Sequence, residues 1–172
     1  MQGRKILRLV VALCLLAGIG VLSPAQAKRV ALVIGNSTYA HATPLPNPVR
    51  DAELVAESAR KAGFEVTTVS DLSFTDFATI LTEYRKKADG AEVAMIYFAG
   101  HGIQNSGTNW LIPVDATLEE PRDLRFQAID LDGLLETMIG SQLRLVVLDA
   151  CRDNPFGSKW LGATRSVPRG LA

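Results

Sequence analysis

Cysteine and histidine are scarce in this chain of 172 residues, with two of each. Structural zinc sites take about four such side chains at short spacings. No pair here stands at one, and His41, in a proline-rich stretch, reads as a surface loop residue. Neither sign of charge dominates, because 18 basic residues face 18 acidic ones, so nothing suggests attraction to nucleic acid or to an anionic membrane. No repeat or low-complexity block interrupts the chain. The turn Gly35-Asn36 lacks the further glycines of a dinucleotide-binding loop, which leaves nucleotide cofactors without support. The longest apolar run, Leu9 to Leu22, is shorter than the roughly 20 residues a spanning helix needs.

That run has another reading. Arg4, Lys5 and Arg8 precede it, and Ser23-Pro24 and the small-x-small triplet Ala25-Gln26-Ala27 follow. Residues 1–27 therefore read as a secretory signal peptide cleaved after Ala27, and the mature chain is expected to be periplasmic or secreted, with no stable membrane association. Cleavage removes three basic residues and no acidic ones, leaving a formal charge of −3. It also removes Cys14, so Cys151 is the single thiol of an exported protein, where cysteines are normally paired. Such a leftover cysteine is either a buried apolar residue or a reactive one.

From Lys28 onward, short β-branched runs alternate with amphipathic stretches, which predicts an α/β fold of three layers around a mostly parallel sheet. Strands are expected at Val30–Ile34, Phe64–Val69, Val93–Phe98 and Leu143–Asp149, with Trp110–Val114 as a short edge strand because it contains Pro113. Helices are expected at Val49–Ala62, closed by Gly63, at Phe74–Ala88, capped by Asp71 or Ser73, and at Leu131–Ile139.

Ligands of open parallel sheets bind at the carboxyl ends of the strands. His101 and Cys151 each lie just past the end of an expected central strand. Neighbouring strands are about 4.8 Å apart, so 50 intervening residues need not keep the two side chains apart. A thiolate attacks a carbonyl carbon, and an adjacent imidazole holds it as an ion pair and later protonates the leaving amine. Gly102 lacks a side chain, so its N–H can approach the substrate oxygen, and the N–H of Cys151 could be the second oxyanion donor. Gly100 and Gly102 read equally as an ordinary tight turn.

The strand Val30–Ile34 with Gly35-Asn36, the Gly100-His101-Gly102 triplet and Asp149-Ala150-Cys151-Arg152 together resemble the caspase, metacaspase and bacterial orthocaspase families, over Arg29 to about Phe156. The resemblance implies peptide-bond hydrolysis of a protein or peptide substrate by a Cys-His dyad, with no metal or other cofactor in the chemistry. Caspases carry Gln two residues before the nucleophile, in a pocket for aspartate. This chain carries Asp149, as metacaspases do, and Asp51 falls where metacaspase-like proteins have a second acidic pocket residue. Two carboxylates suit an Arg or Lys side chain. Each also has a plainer reading, Asp51 as a helix N-terminal charge and Asp149 as a cap of local backbone.

Some residues depart from the family pattern. Ala99 replaces a Ser common in arginine-cutting relatives, Asp153 replaces a Gly of the caspase signature, and Arg50, in place of an Asn, could pair with Asp51. Some relatives need calcium. Asp115, Glu119, Glu120 and Asp123 could supply oxygens, but their spacing fits no EF-hand and reads as a solvated acidic loop. Only 21 residues follow Cys151, with Gly, Pro and basic residues in place of the further strands that relatives have. The catalytic domain is therefore assigned to residues 28–157 and a flexible tail to 158–172. Lys159, Arg165 and Arg169 there are either self-cleavage points or ordinary linker charge. A sheet incomplete at its carboxyl end would leave an edge open to self-association or to a partner subunit, with an inactive scaffold as the alternative function.

Overall fold

The computed structural model describes residues 27–151 and 155–160, and only the backbone of Cys151, Ser158 and Lys159. The leader, Asp153, Arg165 and Arg169 lie outside the described residues.

The β-branched runs form strands where their periodicity predicts them. β1 (Arg29–Gly35), β2 (Glu65–Ser70), β3 (Val93–Asn105) and β6 (Leu143–Cys151) form a parallel sheet in the order β2-β1-β3-β6. β1 and the first part of β3 are almost wholly buried, as continuous apolar runs covered on both faces should be.

One face of the sheet carries α1 (Pro48–Lys61), whose Ala52, Ala56 and Ala59 pack on Ala31, Val33, Tyr97 and Ala99. Small side chains let this helix lie close. A Cβ on Gly35 would stand 2.5 Å from the Pro48 carbonyl oxygen, so only glycine fits beneath the start of α1. The other face carries α2 (Phe74–Ala88), with Phe77, Leu81, Tyr84 and Ala88 against Leu32, Ile34, Ile96 and Phe98. Ser73 caps α2 by accepting the Asp76 N–H.

The sheet is mixed, because β3 does not end at Phe98. It runs on to Asn105 and turns back through Ser106 and Gly107 into β4 (Thr108–Leu111), which pairs with the short β5 (Ile129–Asp130), both antiparallel. β4 therefore lies between two strands and is not the edge strand expected at Trp110–Val114, and it ends at Leu111, before Pro113. After the one-turn α3 (Leu124–Gln127), the helix expected at Leu131–Ile139 is regular only as α4 (Leu131–Glu136), followed by turns. Gly133 in its first turn and Gly140 soon after its end give this stretch little intrinsic helicity.

β3 changes partners at Asn36, which is fully buried. Its N–H donates to the Ala99 carbonyl at 2.8 Å, and two residues further along the same edge of β3 the Ile112 N–H donates to the His101 carbonyl at 3.1 Å. The Asn36 amide closes the seam, with Nδ2 on the Ile112 carbonyl at 3.3 Å and Oδ1 accepting the Leu72 N–H at 3.0 Å. One side chain thereby ties together the exits of β1, β2 and β4.

A third cluster lies beyond this seam, where Tyr39, Ile103, Ile112, Leu118 and Leu124 enclose Phe156 and Trp160. Trp160 ends α5 (Gly157–Trp160), is 1% exposed and donates its indole N–H to the Leu118 carbonyl at 2.9 Å. Packed structure therefore extends three residues past the boundary assigned at residue 157.

Replacing Asn36 with Ala leaves the buried Leu72 N–H without an acceptor and opens a gap at the seam. A loss of about 2 to 3 kcal/mol in urea unfolding is expected. A change below about 0.5 kcal/mol would show that the seam holds without the amide.

Candidate active site

His101 is not on a free loop. It sits inside β3 and is 4% exposed. Its N–H donates to the Tyr39 hydroxyl at 2.8 Å, and the Tyr39 ring lies against its imidazole with centroids 4.4 Å apart. Gly100 leaves room for this contact, since a Cβ there would stand 2.6 Å from the Tyr39 oxygen and 2.7 Å from the Phe98 ring.

The loop bearing Tyr39 and Thr43 is pinned at its root by Asp71, whose carboxylate accepts the N–H groups of Ser37 and Thr38 and the Thr38 hydroxyl at 2.6 to 2.9 Å. Partial burial by itself would raise the Asp71 pKa. The hydrogen bonds from Thr38 and Ser37 prevail and hold it below the ordinary carboxylate value.

Imidazole Nε2 lies 2.8 Å from the Thr43 carbonyl oxygen. A carbonyl only accepts, so Nε2 carries the proton and Nδ1 of the neutral ring holds the lone pair. Nδ1 is buried with no hydrogen-bond partner among the described residues. Burial pushes the His101 pKa down, and the bond to Thr43 offsets part of that effect.

The β3–β6 ladder places the backbone of Cys151 directly opposite His101, at the last pair of the register. The Cys151 side chain lies outside the described residues. Gly102 pairs with Leu111, but the Ile112 N–H to His101 carbonyl bond makes this a non-hydrogen-bonded pair of the antiparallel ladder. The N–H of Gly102 therefore faces the β6 side of β3, at the level of Cys151.

Asp51, in the first turn of α1, and Asp149, near the end of β6, line one cavity of about 240 Å³ with Ala99, Gly100 and the loop from Leu45 to Pro48. Asp51 stands both at a helix N-terminus and in the cavity, so its two readings coexist. Asp149 accepts a hydrogen bond from the Tyr97 hydroxyl at 3.1 Å through one oxygen. Arg50 is exposed and forms no ion pair with Asp51 among the described residues.

A larger hollow of about 720 Å³ lies between Arg85, Lys86, Asp89 and Glu136. Asp89 and Gly140 in its wall adjoin the starts of β3 and β6, the end of the sheet opposite His101. It contains neither cysteine nor histidine.

The acidic residues considered for calcium have local partners. Asp115 accepts the Phe74 N–H at the start of α2, and Glu120 and Asp123 cap each other's ends of a short 3₁₀ turn at Pro121–Asp123. No group of three or more His, Cys, Asp or Glu converges as metal ligands among the described residues. Among the same residues no helix is long and apolar enough to cross a membrane.

Tyr39, Thr43 and Tyr97 were not identified from sequence. The Thr43 contribution is a backbone carbonyl, which leaves no trace in residue type. Tyr39 and Tyr97 did offer a signal, since each is an aromatic residue close to a chemical motif.

Residues 28–167 match the caspase domain family. The chain is 29% identical over 132 residues to the mucosa-associated lymphoid tissue lymphoma translocation protein 1 of Homo sapiens, covering 75% of this chain and 16% of that protein. The Mus musculus homolog matches equally, with 15% of its length covered. The chain thus spans about one sixth of these relatives. In structure it is similar to protein GSU0716 from Geobacter sulfurreducens, with a TM-score of 0.54 and 22% identity over 72% of this chain and 50% of that one. This last likeness supports the fold.

The burial of neutral His101 makes stability depend on pH. An unfolded histidine takes up its proton near 6.5, whereas the folded one resists until lower pH. The stability from this source is whole above 6.5 and declines as pH falls from 6.5 through the folded value. Unfolding free energy should therefore decrease between pH 7.5 and 5.5 more steeply in the wild type than in His101→Gln, by at most about 1.4 kcal/mol per pH unit. Parallel slopes would mean that His101 titrates as an ordinary histidine.

Proposed function

Given that the chain belongs to the caspase domain family, we propose that it is an exported cysteine endopeptidase that cleaves after arginine or lysine, with Cys151 as nucleophile and His101 as its proton-transfer partner. Family membership supports cysteine-peptidase chemistry in general. One observation carries the assignment to this pair: Cys151 and His101 close the same ladder, and the buried imidazole has no hydrogen-bond partner at Nδ1 among the described residues.

In the proposed reaction, His101 Nδ1 takes the thiol proton as the Cys151 sulfur attacks the carbonyl carbon of the scissile bond. Charge collects on the carbonyl oxygen, and the imidazolium donates Nε2–H to the Thr43 carbonyl. The C–N bond then breaks, Nδ1 gives its proton to the leaving amine, and a thioester remains. Water, deprotonated by the same Nδ1, hydrolyses the thioester and restores the thiol. No cofactor enters these steps.

The Gly102 and Cys151 N–H groups are the proposed oxyanion donors, each worth on the order of 3 kcal/mol in the transition state. Because the ladder runs to Cys151, freeing the Gly102 donor requires the last residue of β6 to part from β3 as substrate enters.

Selection of a basic side chain is supported by the Asp51–Asp149 cavity, where two carboxylates have no cationic partner among the described residues. The leader supports export to the periplasm or medium. Among the described residues β6 pairs only with β3 and exposes Leu143, Leu145 and Val147, a surface suited to a partner subunit or a second copy adding at this edge.

A fluorogenic peptidyl-arginine substrate tests the reading. Cys151→Ala should abolish turnover, and Asp149→Asn should lower kcat/KM for Arg by about tenfold or more while circular dichroism stays unchanged. Undiminished turnover by Cys151→Ala, or a wild type that cleaves only after acidic residues, would overturn it.

A further inference from the structure

We infer that Tyr97 is a positioning residue for substrate selection, holding Asp149 so that the cavity presents its carboxylates to a guanidinium in preference to an ammonium group. The inference rests on the reading of the Asp51–Asp149 cavity as the site for a basic side chain.

The phenol body is fixed by packing. Tyr97 is 5% exposed and sits among Ala31, Val33, Ala52 and Ala56 in the layer between α1 and the sheet. In the β3–β6 register it lies opposite Val147, and Asp149 lies opposite Ala99, so the hydroxyl reaches Asp149 diagonally across the strand pair. It donates to Oδ2 at 3.1 Å. The other carboxylate oxygen takes no hydrogen bond from a described residue, and the side chain stands at an exposed strand edge. Without the hydroxyl, Asp149 would be free to turn among rotamers that point it into solvent.

The donor is always present. Burial first, then the hydrogen bond to Asp149 and the negative charges of Asp149 and Asp51, push the Tyr97 pKa far above its ordinary value, so the hydroxyl keeps its proton. The same influence shows that Tyr97 senses both carboxylates. One is held by the rigid helix α1 and the other by a rigid phenol.

The consequence is geometric. A guanidinium is a planar fork whose N–H groups need acceptors at set positions, whereas an ammonium is a rotating point charge that tolerates a mobile carboxylate. Losing the hydroxyl should therefore weaken Arg recognition more than Lys recognition. Asp149 keeps its charge, so attraction to either cation remains.

The full chain carrying Tyr97→Phe, assayed with matched peptidyl-Arg and peptidyl-Lys substrates, tests this. For Arg, KM should rise about tenfold with kcat within about twofold, and the Arg to Lys ratio of kcat/KM should fall by about fivefold. In the Asp149→Asn background Tyr97→Phe should change the ratio no further, because the phenol acts through that carboxylate. An unchanged ratio, or equal losses on both substrates, would overturn the inference, since a merely structural hydroxyl lowers the melting temperature without sorting the two cations. Should Tyr97→Phe not fold, Asp149→Glu, which displaces the carboxylate from the hydroxyl at constant charge, must lower the same ratio. If the wild type cleaves neither substrate, or Asp149→Asn leaves selection intact, the cavity reading itself fails and this inference with it. If both hold and only the ratio in Tyr97→Phe is unmoved, the role of Tyr97 alone is lost.

Discussion

The site depends on one strand continuing after its neighbour stops. β1 ends at Gly35, where α1 lies too close for any side chain, and β3 then loses its hydrogen-bonding partner on that edge. A buried edge with unmatched carbonyls would cost several kcal/mol. Asn36 and Ile112, the residue after the returning β4 strand, meet this demand by donating to the Ala99 and His101 carbonyls. His101 is thereby held as a ladder residue, with its backbone hydrogen-bonded on one edge and its register against β6 set on the other.

This explains why the imidazole can remain partly unsatisfied. A buried histidine with a purely structural role would be expected to find partners for both nitrogens, because an unpaired buried polar atom is costly. Here Nε2 is tied to Thr43 and Nδ1 has no described partner. Tyr39 against the ring and Asp71 at the root of the loop hold the imidazole in this setting. A nitrogen with no described partner, at the end of the strand pair that carries Cys151, suits the proton-transfer role proposed for His101.

The main parallel strands were legible because continuous β-branched runs between glycine-rich turns have few alternatives to a doubly covered sheet. The pairing of His101 with Cys151 was legible from topology, since strand ends of one sheet meet whatever their separation in sequence. The extension of β3 was not. Gly100-His101-Gly102 has the composition of a turn, and only the tertiary demand for a β4 partner keeps it extended. The packing of Trp160 was hidden for a similar reason, because a stretch with glycine, proline and basic residues reads as tail unless its large aromatic is weighed first. Thr43 had no readable signal, as its carbonyl would serve under any side chain.

In the proposed reading, the chemistry and the selectivity share two adjacent strands. On β6, Asp149 and Cys151 are two positions apart, a Cα separation of about 7 Å in an extended strand. A substrate whose carbonyl carbon meets the end of β6 would send its side chain back toward Asp149. Only a long side chain spans that interval, and arginine and lysine combine the length with the charge that Asp149 and Asp51 favour. A short acidic side chain would meet neither condition. On β3, His101 stands beside Cys151 and Ala99 beside Asp149, with Tyr97 one step further into the core, so one ladder register sets the spacing of the groups proposed for proton transfer, attack and recognition. A slip of β6 by one residue would turn Asp149 and Cys151 to the opposite face from His101 and Tyr97, and the apolar residues Leu148 and Ala150 of β6, packed with Phe98 in the α2-side core, oppose it.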